Sequence, residues 1–222
     1  MLLLAVDSSD KNGSIALAQC GPGDGCNLLE VVQLFGGTFS AQLVPQIAAL
    51  LGKHEFGKED IAAFAVVSGP GSFTGLRIGL AAVKALAEVL EKPIAAVSLL
   101  EAIAAAGGVR GRVLAALDAG RDEVYVGEYE IEAVAHRISE RLVTQAELIT
   151  IAMGQTMVTP DRKLAELART ARLPVEEIRR PESVAVATIG WKKILSGEIV
   201  SPEILDANYI RRMDGEIVVK AL

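Results

Sequence analysis

The sequence predicts an α/β protein made of two small lobes that are built on the same unit. Three observations support this fold class. The order strand, strand, strand, helix, strand, helix, strand, helix occurs twice along the 222 residues. An aspartate, Asp7 or Asp118, ends the first predicted strand of each copy. A hydrophobic content of 51% with only 4% aromatic residues indicates aliphatic, alanine-rich cores, as in many α/β proteins.

The first copy begins with a meander of three strands and continues with alternating helices and strands. Apolar residues at helical spacing after Ser40 predict its first helix, in which Pro45 falls early enough to be tolerated. Pro93 prevents the second helix from continuing, and Ser98 has the residue type of a helix N-cap. The predicted elements are strands Leu2–Val6, Ser14–Gln19 and Leu28–Phe35, the helix after Ser40, strand Ala62–Ser68, helix Leu76–Leu90, strand Ile94–Val97 and helix Leu99–Ala106.

The second copy repeats this order after the glycine pair at residues 107–108. Its predicted elements are strands Arg112–Leu117, Glu123–Glu130 and Arg137–Val143, a helix from the cap Thr144 to Ile151, strand Thr156–Thr159, helix Asp161–Thr170, strand Val175–Ile178, helix Ser183–Ser196 and a final apolar run Ile217–Val219. We therefore predict an N-terminal lobe over residues 1–106 and a C-terminal lobe, a reduced repeat, over 107–222.

Internal duplication of this unit is the plan of the actin-like ATPase and sugar-kinase fold (ASKHA, ribonuclease H-like). A single doubly wound sheet would account for the same elements but not for their repeated order. The duplicated fold is therefore the prediction.

The net charge argues against a protein that binds nucleic acid on its own. The net charge is −6 and the pI is about 5.1, and the arginines at Arg110, Arg112 and Arg121 are interpreted as a solvated surface. The apolar N-terminal stretch meets Asp7 at once and is too short for a signal peptide. No apolar run approaches the length of a membrane span, so we expect a cytoplasmic protein without membrane contact.

Two cysteines, Cys20 and Cys26, flank a glycine-rich turn. Two are too few for a disulfide framework or for a four-cysteine zinc site. We expect free thiols at a hairpin tip in a reducing compartment, although in an exported protein they could pair.

One glycine-rich stretch, SGPGSFTGLRIG at residues 68–79, lies between a buried strand and an amphipathic helix. This arrangement presents backbone N–H groups at a helix N-terminus to an anion. In that interpretation the loop cradles a phosphate, although it contains no lysine and does not match a P-loop. The residues of this possible anion site are Ser68, Gly69, Gly71, Ser72, Thr74 and Gly75.

The same stretch could instead aim a helix at a partner. Gly75 and Gly79 are four residues apart and Ala82 continues the row of small side chains, which lets two helix backbones approach. More apolar residues follow than so small a lobe needs inside. The interface candidates are Leu76, Arg77, Gly79, Leu80, Ala82 and Val83. A third interpretation is that Gly75 and Gly79 pack only against this protein's own sheet.

At this stretch the sequence resembles the TsaB (YeaZ) family of bacterial proteins, whose block SGPGSFTGLRIG is present without change. Weaker blocks agree in position: LAVDSS from Leu4, LDAGRDEVY from Leu117 and YIR from Tyr209. The resemblance covers essentially the whole chain. It implies the actin-like fold and a role in forming N6-threonylcarbamoyladenosine in tRNA, beside the anticodon.

The resemblance also implies partners. TsaB-like proteins pair through helices of the N-terminal lobe, with themselves or with the metal-dependent transferase TsaD, to which the resemblance assigns the chemistry. This chain would then be a non-catalytic scaffold that stabilises TsaD, helps recruit the TsaE ATPase and meets tRNA only through the complex. Alone, it would form a homodimer. No cofactor is expected on this chain, since ATP and a metal would bind the partner subunits.

Two enzymatic alternatives stay open. Asp7 and Asp118 could hold a magnesium–nucleotide complex in a cleft, as in a small actin-fold ATPase or kinase, or each could cap the turn after its strand. A peptidase has little support, because Ser72 lacks the Gly-x-Ser-x-Gly spacing and the only histidines, His54 and His136, form no ligand pair. We therefore expect no catalytic residue and no metal site in this chain.

Overall fold

A computed structural model of the chain describes residues 1–22, 25–35 and 39–210. The N-terminal sheet contains β1 (Leu2–Asp7), β2 (Asn12–Cys20), β3 (Cys26–Phe35), β4 (Ile61–Gly69) and β5 (Ile94–Ser98). The C-terminal sheet contains β6 (Gly111–Gly120), β7 (Glu123–Ile131), β8 (Ala135–Thr144), β9 (Thr156–Thr159) and β10 (Val175–Glu177). The α-helices of the described ranges are α1 (Phe39–Lys53), α2 (Phe73–Leu90), α3 (Leu99–Ala106), α4 (Gln145–Ile151), α5 (Arg162–Thr170) and α6 (Ser183–Ser196).

None of these helices combines the length and the hydropathy that a membrane span requires. The predicted apolar run Ile217–Val219 and the residue Arg211 of the YIR block lie outside the described residues.

Both sheets have the same topology, which confirms the predicted duplication. The strand order is β3-β2-β1-β4-β5 in the first sheet and, from the corresponding edge, β8-β7-β6-β9-β10 in the second. In each sheet the three meander strands pair antiparallel and the last two strands join in parallel. This repeat is the actin-like, ribonuclease H-like fold, and it excludes a single doubly wound sheet.

Helices cover both faces of the N-terminal sheet, and the alternation of its strands shows which helix covers which face. Val6 points to one face, whereas Ala5, beside Ala65 of β4, points to the other. A Cβ added to Gly79 of α2 would lie 3.6 Å from the Val6 side chain. A Cβ added to Gly190 of α6 would lie 2.4 Å from that of Ala65. Helix α2, with α1 against it, therefore covers one face, and α6 covers the other.

The third helix of each half packs against the sheet of the other half. Helix α3 packs on β6, β7 and β8 of the second sheet, while α6 packs across all five strands of the first sheet. The larger core consequently contains residues of both halves, including Val113 and Ala115 of β6. Leu114 and Ala116, on the opposite face of β6, belong to a smaller core with α4 and α5. The predicted division at residue 106 separates the two sheets but not the two cores.

Cys20 and Cys26 form a disulfide, so the expectation of free thiols is wrong for this structure. The two residues are opposite partners on β2 and β3, and this pairing places their Cα atoms 4.1 Å apart. Between them, the Gly21 carbonyl oxygen accepts a 3.1 Å hydrogen bond from the indole Nε1 of the buried Trp191. The hairpin tip is thereby fastened to α6.

Reduction of this disulfide is expected to change the fluorescence of Trp191, which is the only tryptophan of the chain. In the chain-entropy model, opening so short a loop lowers the free energy of unfolding by about 2 kcal/mol. Emission spectra and urea midpoints, with and without a dithiol reductant, check both effects. The reductant should change neither in a control variant with Cys20→Ser and Cys26→Ser. A spectrum and midpoint that stay the same after verified reduction of the native protein would contradict the coupling.

Candidate functional site at the glycine loop

The glycine-rich loop between β4 and α2 binds its polar groups within the chain. Ser72 caps α2, because its Oγ accepts a hydrogen bond from Gly75 N over 3.3 Å. The backbone N–H of Ser72 donates to Ser9 O over 2.7 Å. This cap starts α2 at Phe73, three residues before the predicted start at Leu76. The backbone N–H groups of Ser72 and Gly75, both expected to bind an anion, therefore donate to groups of this chain instead.

The other residues of the predicted anion site do not converge either. Ser68 is buried and its Oγ donates to Val97 O over 3.3 Å. Gly69 has φ +133° and lies against Asn208, whose N–H donates to Ser68 O over 2.7 Å. Thr74 is exposed. These contacts are those of a packed turn, and they give no support to the interpretation of this loop as a phosphate cradle.

Gly71, Gly75 and Gly79 are glycines because the loop between β1 and β2 lies directly on them. An added Cβ would lie 2.3 Å from Ser9 O at Gly71, 2.1 Å from Ser8 O at Gly75, and 2.2 Å from Ser8 Oγ at Gly79. No side chain fits at such distances without displacing its neighbour. Ser8 Oγ in turn donates to Gly75 O over 2.8 Å. Gly75 and Gly79 therefore pack within this chain, as in the third interpretation, but mainly against the β1–β2 loop rather than against the sheet.

Four of the predicted interface residues face inward. Leu76, Leu80 and Val83 are at most 5% exposed, and Gly79 is buried. They fill the core between α2 and the N-terminal sheet. The prediction that these four residues meet a partner is therefore wrong.

A different stripe of α2 faces outward. Ala81, Ala85 and Val89 follow one another at helical spacing and are exposed, with Val89 77% exposed. We call these three residues the outer stripe of α2. Of the predicted interface residues, Arg77 is exposed and Ala82 half-buried, so both remain accessible beside the stripe.

Helix α1 extends this apolar surface. Ala41, Val44 and Ala48 are exposed at helical spacing, with Val44 52% exposed. Lys53, at the C-terminal end, is the only charged residue in the sequence of α1. Helices α1 and α2 contact each other, and exposed apolar side chains of both lie on their outer sides. The charged residues beside them on α2 are Arg77, Lys84 and Glu88. Apolar surfaces of this kind mark sites of interaction.

The C-terminal segment is fastened beside the start of α2. The Arg77 guanidinium carbon lies 3.7 Å from the centroid of the Phe73 ring, and Arg77 Nε donates to the Tyr209 hydroxyl over 2.9 Å. The Phe73 and Tyr209 rings are 5.4 Å apart between centroids. The sequence block at Tyr209 and the glycine block are thus in direct contact, although 132 residues separate Arg77 from Tyr209.

Asp7 ends β1 as predicted and is only 5% exposed. Its Oδ1 accepts hydrogen bonds from Ser9 N over 2.9 Å and from Ser9 Oγ over 2.6 Å. Burial raises the pKa of the Asp7 carboxyl, and the hydrogen bonds from Ser9 and the charge of Arg180 oppose this rise. These contacts are those of a residue that caps the turn after a buried strand.

Because the pKa of Asp7 is higher in the folded chain than in the unfolded chain, its protonated form stabilises the fold more than its charged form does. Its contribution is fully present below the pKa of the unfolded chain and is lost as pH rises through the folded pKa. Asp7→Asn keeps an oxygen for Ser9 and removes the buried charge, so we expect it to be more stable than the wild type near neutral pH. That advantage should shrink with acidification, as urea unfolding of both proteins across the acid range would show. A wild type that is the more stable protein at neutral pH would contradict this assignment.

Asp118 has a similar local role at the end of the repeated strand. Its Oδ1 accepts a hydrogen bond from Gly120 N over 2.8 Å, and its own N–H donates to Asp161 Oδ2 over 2.7 Å. Burial raises the pKa of Asp161, and the charge of Asp118 adds to this rise. Among the described residues, no three histidine, cysteine or acidic side chains are grouped so that they could hold a metal ion.

Arg180 links these acids to the first half of the chain. Its Nη2 donates to Ser9 Oγ over 3.3 Å, and its Nε lies 3.8 Å from Asp10 Oδ2. Sequence reasoning missed both Arg180 and Asp161. They follow β10 and β9, which run parallel to β6, so their position at the ends of these strands was the available signal.

The family model described as "TsaD: tRNA N6-adenosine threonylcarbamoyltransferase" matches residues 35–197, which is more than half of the chain. The tRNA threonylcarbamoyladenosine biosynthesis protein TsaB of Bacillus subtilis is 35% identical over 131 residues, 59% of this chain and 56% of that protein. The TsaB protein of Escherichia coli is 28% identical over 224 residues, 95% of each chain. The chain belongs to the TsaB (YeaZ) family.

A solved structure agrees with this family. YeaZ from Pseudomonas aeruginosa superposes with a TM-score of 0.74 at 25% identity, over 93% of this chain and all of that one. Of the sequence blocks that resemble the TsaB family, the one at Ser68–Gly79 contacts both the block at Leu4–Ser9 and the block at Tyr209. The family blocks therefore belong to one packed region of the fold. The outer sides of α1 and α2 lie beside this region and are exposed.

Proposed function

We propose that this chain is the non-catalytic partner subunit of the cytoplasmic complex that forms N6-threonylcarbamoyladenosine in tRNA. Family membership supports the pathway. The single observation that supports the partner role is the exposed apolar surface of α1 and α2. The side chains of Ala81, Ala85 and Val89 are exposed to water, although the inner face of the same helix is buried against the sheet.

The occupant of this surface is a TsaD-type transferase subunit. The small side chains of the outer stripe let a partner helix approach closely, and Val44 and Val89 supply larger apolar contacts. Arg77 stands at the edge of the stripe, where a polar rim is expected. The same surface would join two copies of this chain when TsaD is absent, and a TsaE-type ATPase would bind the assembled complex. ATP and a metal would bind those partners, and tRNA would be met through the complex.

A reconstituted modification assay tests the proposal. Purified TsaD-type subunit, TsaE-type ATPase, tRNA and a threonylcarbamoyl-adenylate donor are combined with or without this chain. We expect modified adenosine only when this chain and the TsaD-type subunit are both present. Modification by this chain alone, or full modification without it, would contradict the partner role.

A further inference from the structure

We propose that a cleft between the two halves binds a nucleoside phosphate, at a site distinct from Asp7 and Asp118. The cleft has a volume of about 870 Å³, within the range of pockets that take small-molecule ligands. Its walls come from α3, α6, the segment before β6 and the β7–β8 hairpin. Asp7, Asp118 and Asp161 are not among the described residues that line it.

Basic residues concentrate in this cleft although the chain as a whole carries a net charge of −6. The basic side chains that line it are Arg110, His136, Arg137, Lys192 and Lys193. The acidic ones are Glu101, Glu132 and Glu198. Lys193 lies 3.1 Å from Glu101 and 3.7 Å from Glu198, so one cation already serves two of these three carboxylates. Arg137 lies 3.9 Å from Glu140, so Arg110 and Lys192 are the cations that remain for an anion, with Glu132 as the third carboxylate.

Two of these cations can reach a phosphate without breaking an ion pair. Arg110 is exposed and forms no hydrogen bond or ion pair with another described residue. Lys192 is half-buried and donates only a 3.4 Å hydrogen bond, to Ala133 O. Both side chains line the same cleft, and a guanidinium and an ammonium each bind phosphate oxygens.

A fixed polar network holds the cleft open. The Glu140 side chain is 5% exposed and accepts hydrogen bonds from Ser98 Oγ over 2.5 Å, from Asn208 Nδ2 over 2.6 Å and from the Tyr129 hydroxyl. Burial, together with the charge of Glu140, raises the pKa of Tyr129, so its hydroxyl stays a donor. Ser98 and Asn208 themselves line the cleft. The network ties β5, β7, β8 and the C-terminal segment together, which preforms the site.

The apolar part of the lining distinguishes a nucleoside phosphate from free phosphate. Ala96, Ala105, Val109, Ile131 and Ile189 contribute apolar surface from both halves of the chain. A planar base covers such a surface, whereas inorganic phosphate leaves it in water. Apolar side chains and cations that line the same cleft therefore fit a ligand that combines a planar ring with a phosphate.

Isothermal titration of the full chain with adenosine monophosphate, and separately with inorganic phosphate, tests the site. We expect saturable binding of the nucleotide with a Kd below about 1 mM, and weaker binding of phosphate. Arg110→Glu and Lys192→Glu should each weaken nucleotide binding about tenfold, because each replaces a charge-assisted contact with repulsion. Arg112→Glu is the matched control, since Arg112 is exposed two residues away and outside the lining.

Unchanged affinity in the Arg112→Glu control, with loss in the other two variants, would support the site. The proposal is overturned if the nucleotide does not saturate the protein in that range. It is equally overturned if inorganic phosphate binds as tightly, or if all three variants lose the same affinity. Circular dichroism of each variant verifies the fold, so a lost ligand can be distinguished from a lost structure. The proposed partner role depends on the outer surface of α1 and α2, so none of these results would contradict it.

Discussion

Gly75→Ala is expected to lower the free energy of unfolding by about 3 kcal/mol. Its new Cβ would lie 2.1 Å from the carbonyl oxygen of Ser8, which is backbone and cannot rotate away. Either the start of α2 or the loop after β1 must move, and the hydrogen bond from Ser8 Oγ to Gly75 O is strained or lost. Ser9 lies in the same loop and Asp7 directly before it, so the hydrogen bonds between these two residues should also be weakened.

Urea denaturation of Gly75→Ala against the wild type measures this loss. Gly52→Ala is the matched control, because Gly52 lies in the last turn of α1 with nothing within 4 Å of an added Cβ. There the same substitution should stabilise the protein by about 0.5 to 1 kcal/mol, since alanine favours a helix over glycine. Equal stability of Gly75→Ala and the wild type would mean that the β1–β2 loop does not pack on α2.

Local signals in the sequence were sufficient for much of the fold. Ser98 and Thr144 are helix caps as predicted, with side-chain oxygens that accept hydrogen bonds from Leu100 N and Glu147 N. The strand Thr156–Thr159 and the helix Ser183–Ser196 have their predicted bounds. Each of these features is determined by residues within a few positions, and the repeated order of the elements then predicted two equivalent sheets.

The role of the glycines could not be predicted in the same way. Small residues four apart allow any backbone to approach, and the spacing of Gly75 and Gly79 does not say which backbone it is. The neighbour is the Ser8 loop, which is nearly seventy residues away in sequence. Likewise, the apolar pattern of α2 predicts one buried face, but it does not say whether the sheet of the same half or a partner covers that face.

Contacts between distant segments account for the other differences. The disulfide depends on Cys20 and Cys26 being opposite each other on β2 and β3, which requires the hairpin register. The approach of Arg180 to Ser9 joins residues 171 positions apart. Composition and periodicity do not identify either pairing. The position of Arg180 after a strand could have marked it as a site residue, but its partner is known only once the sheets are assembled.

Ala85→Arg is expected to weaken binding to a TsaD-type subunit by about a hundredfold or more. Ala85 is the middle residue of the outer stripe and is exposed in this chain, so the substitution should leave the fold intact. In a complex, however, the long arginine side chain would occupy the space that a partner helix needs, and its charge would be removed from water, with Glu88 three residues along the same helix. Overpacking of an interface and desolvation of a charge together cost about 3 kcal/mol or more, which corresponds to that loss of affinity.

Ala106→Arg provides the control, because Ala106 is also an exposed helical alanine. It is the last residue of α3 and lies outside the outer stripe. It should bind the TsaD-type subunit with wild-type affinity. Thermal unfolding of both variants should match the wild type, which separates a defect of the surface from a defect of the fold.

The most direct test of the partner role is therefore the affinity of the Ala85→Arg variant for a purified TsaD-type subunit, measured by isothermal titration beside the wild type and Ala106→Arg. The proposed surface predicts tight binding by the wild type and the control, and loss of binding by Ala85→Arg. Binding of Ala85→Arg with wild-type affinity would show that the outer stripe of α2 is not the surface that meets the partner.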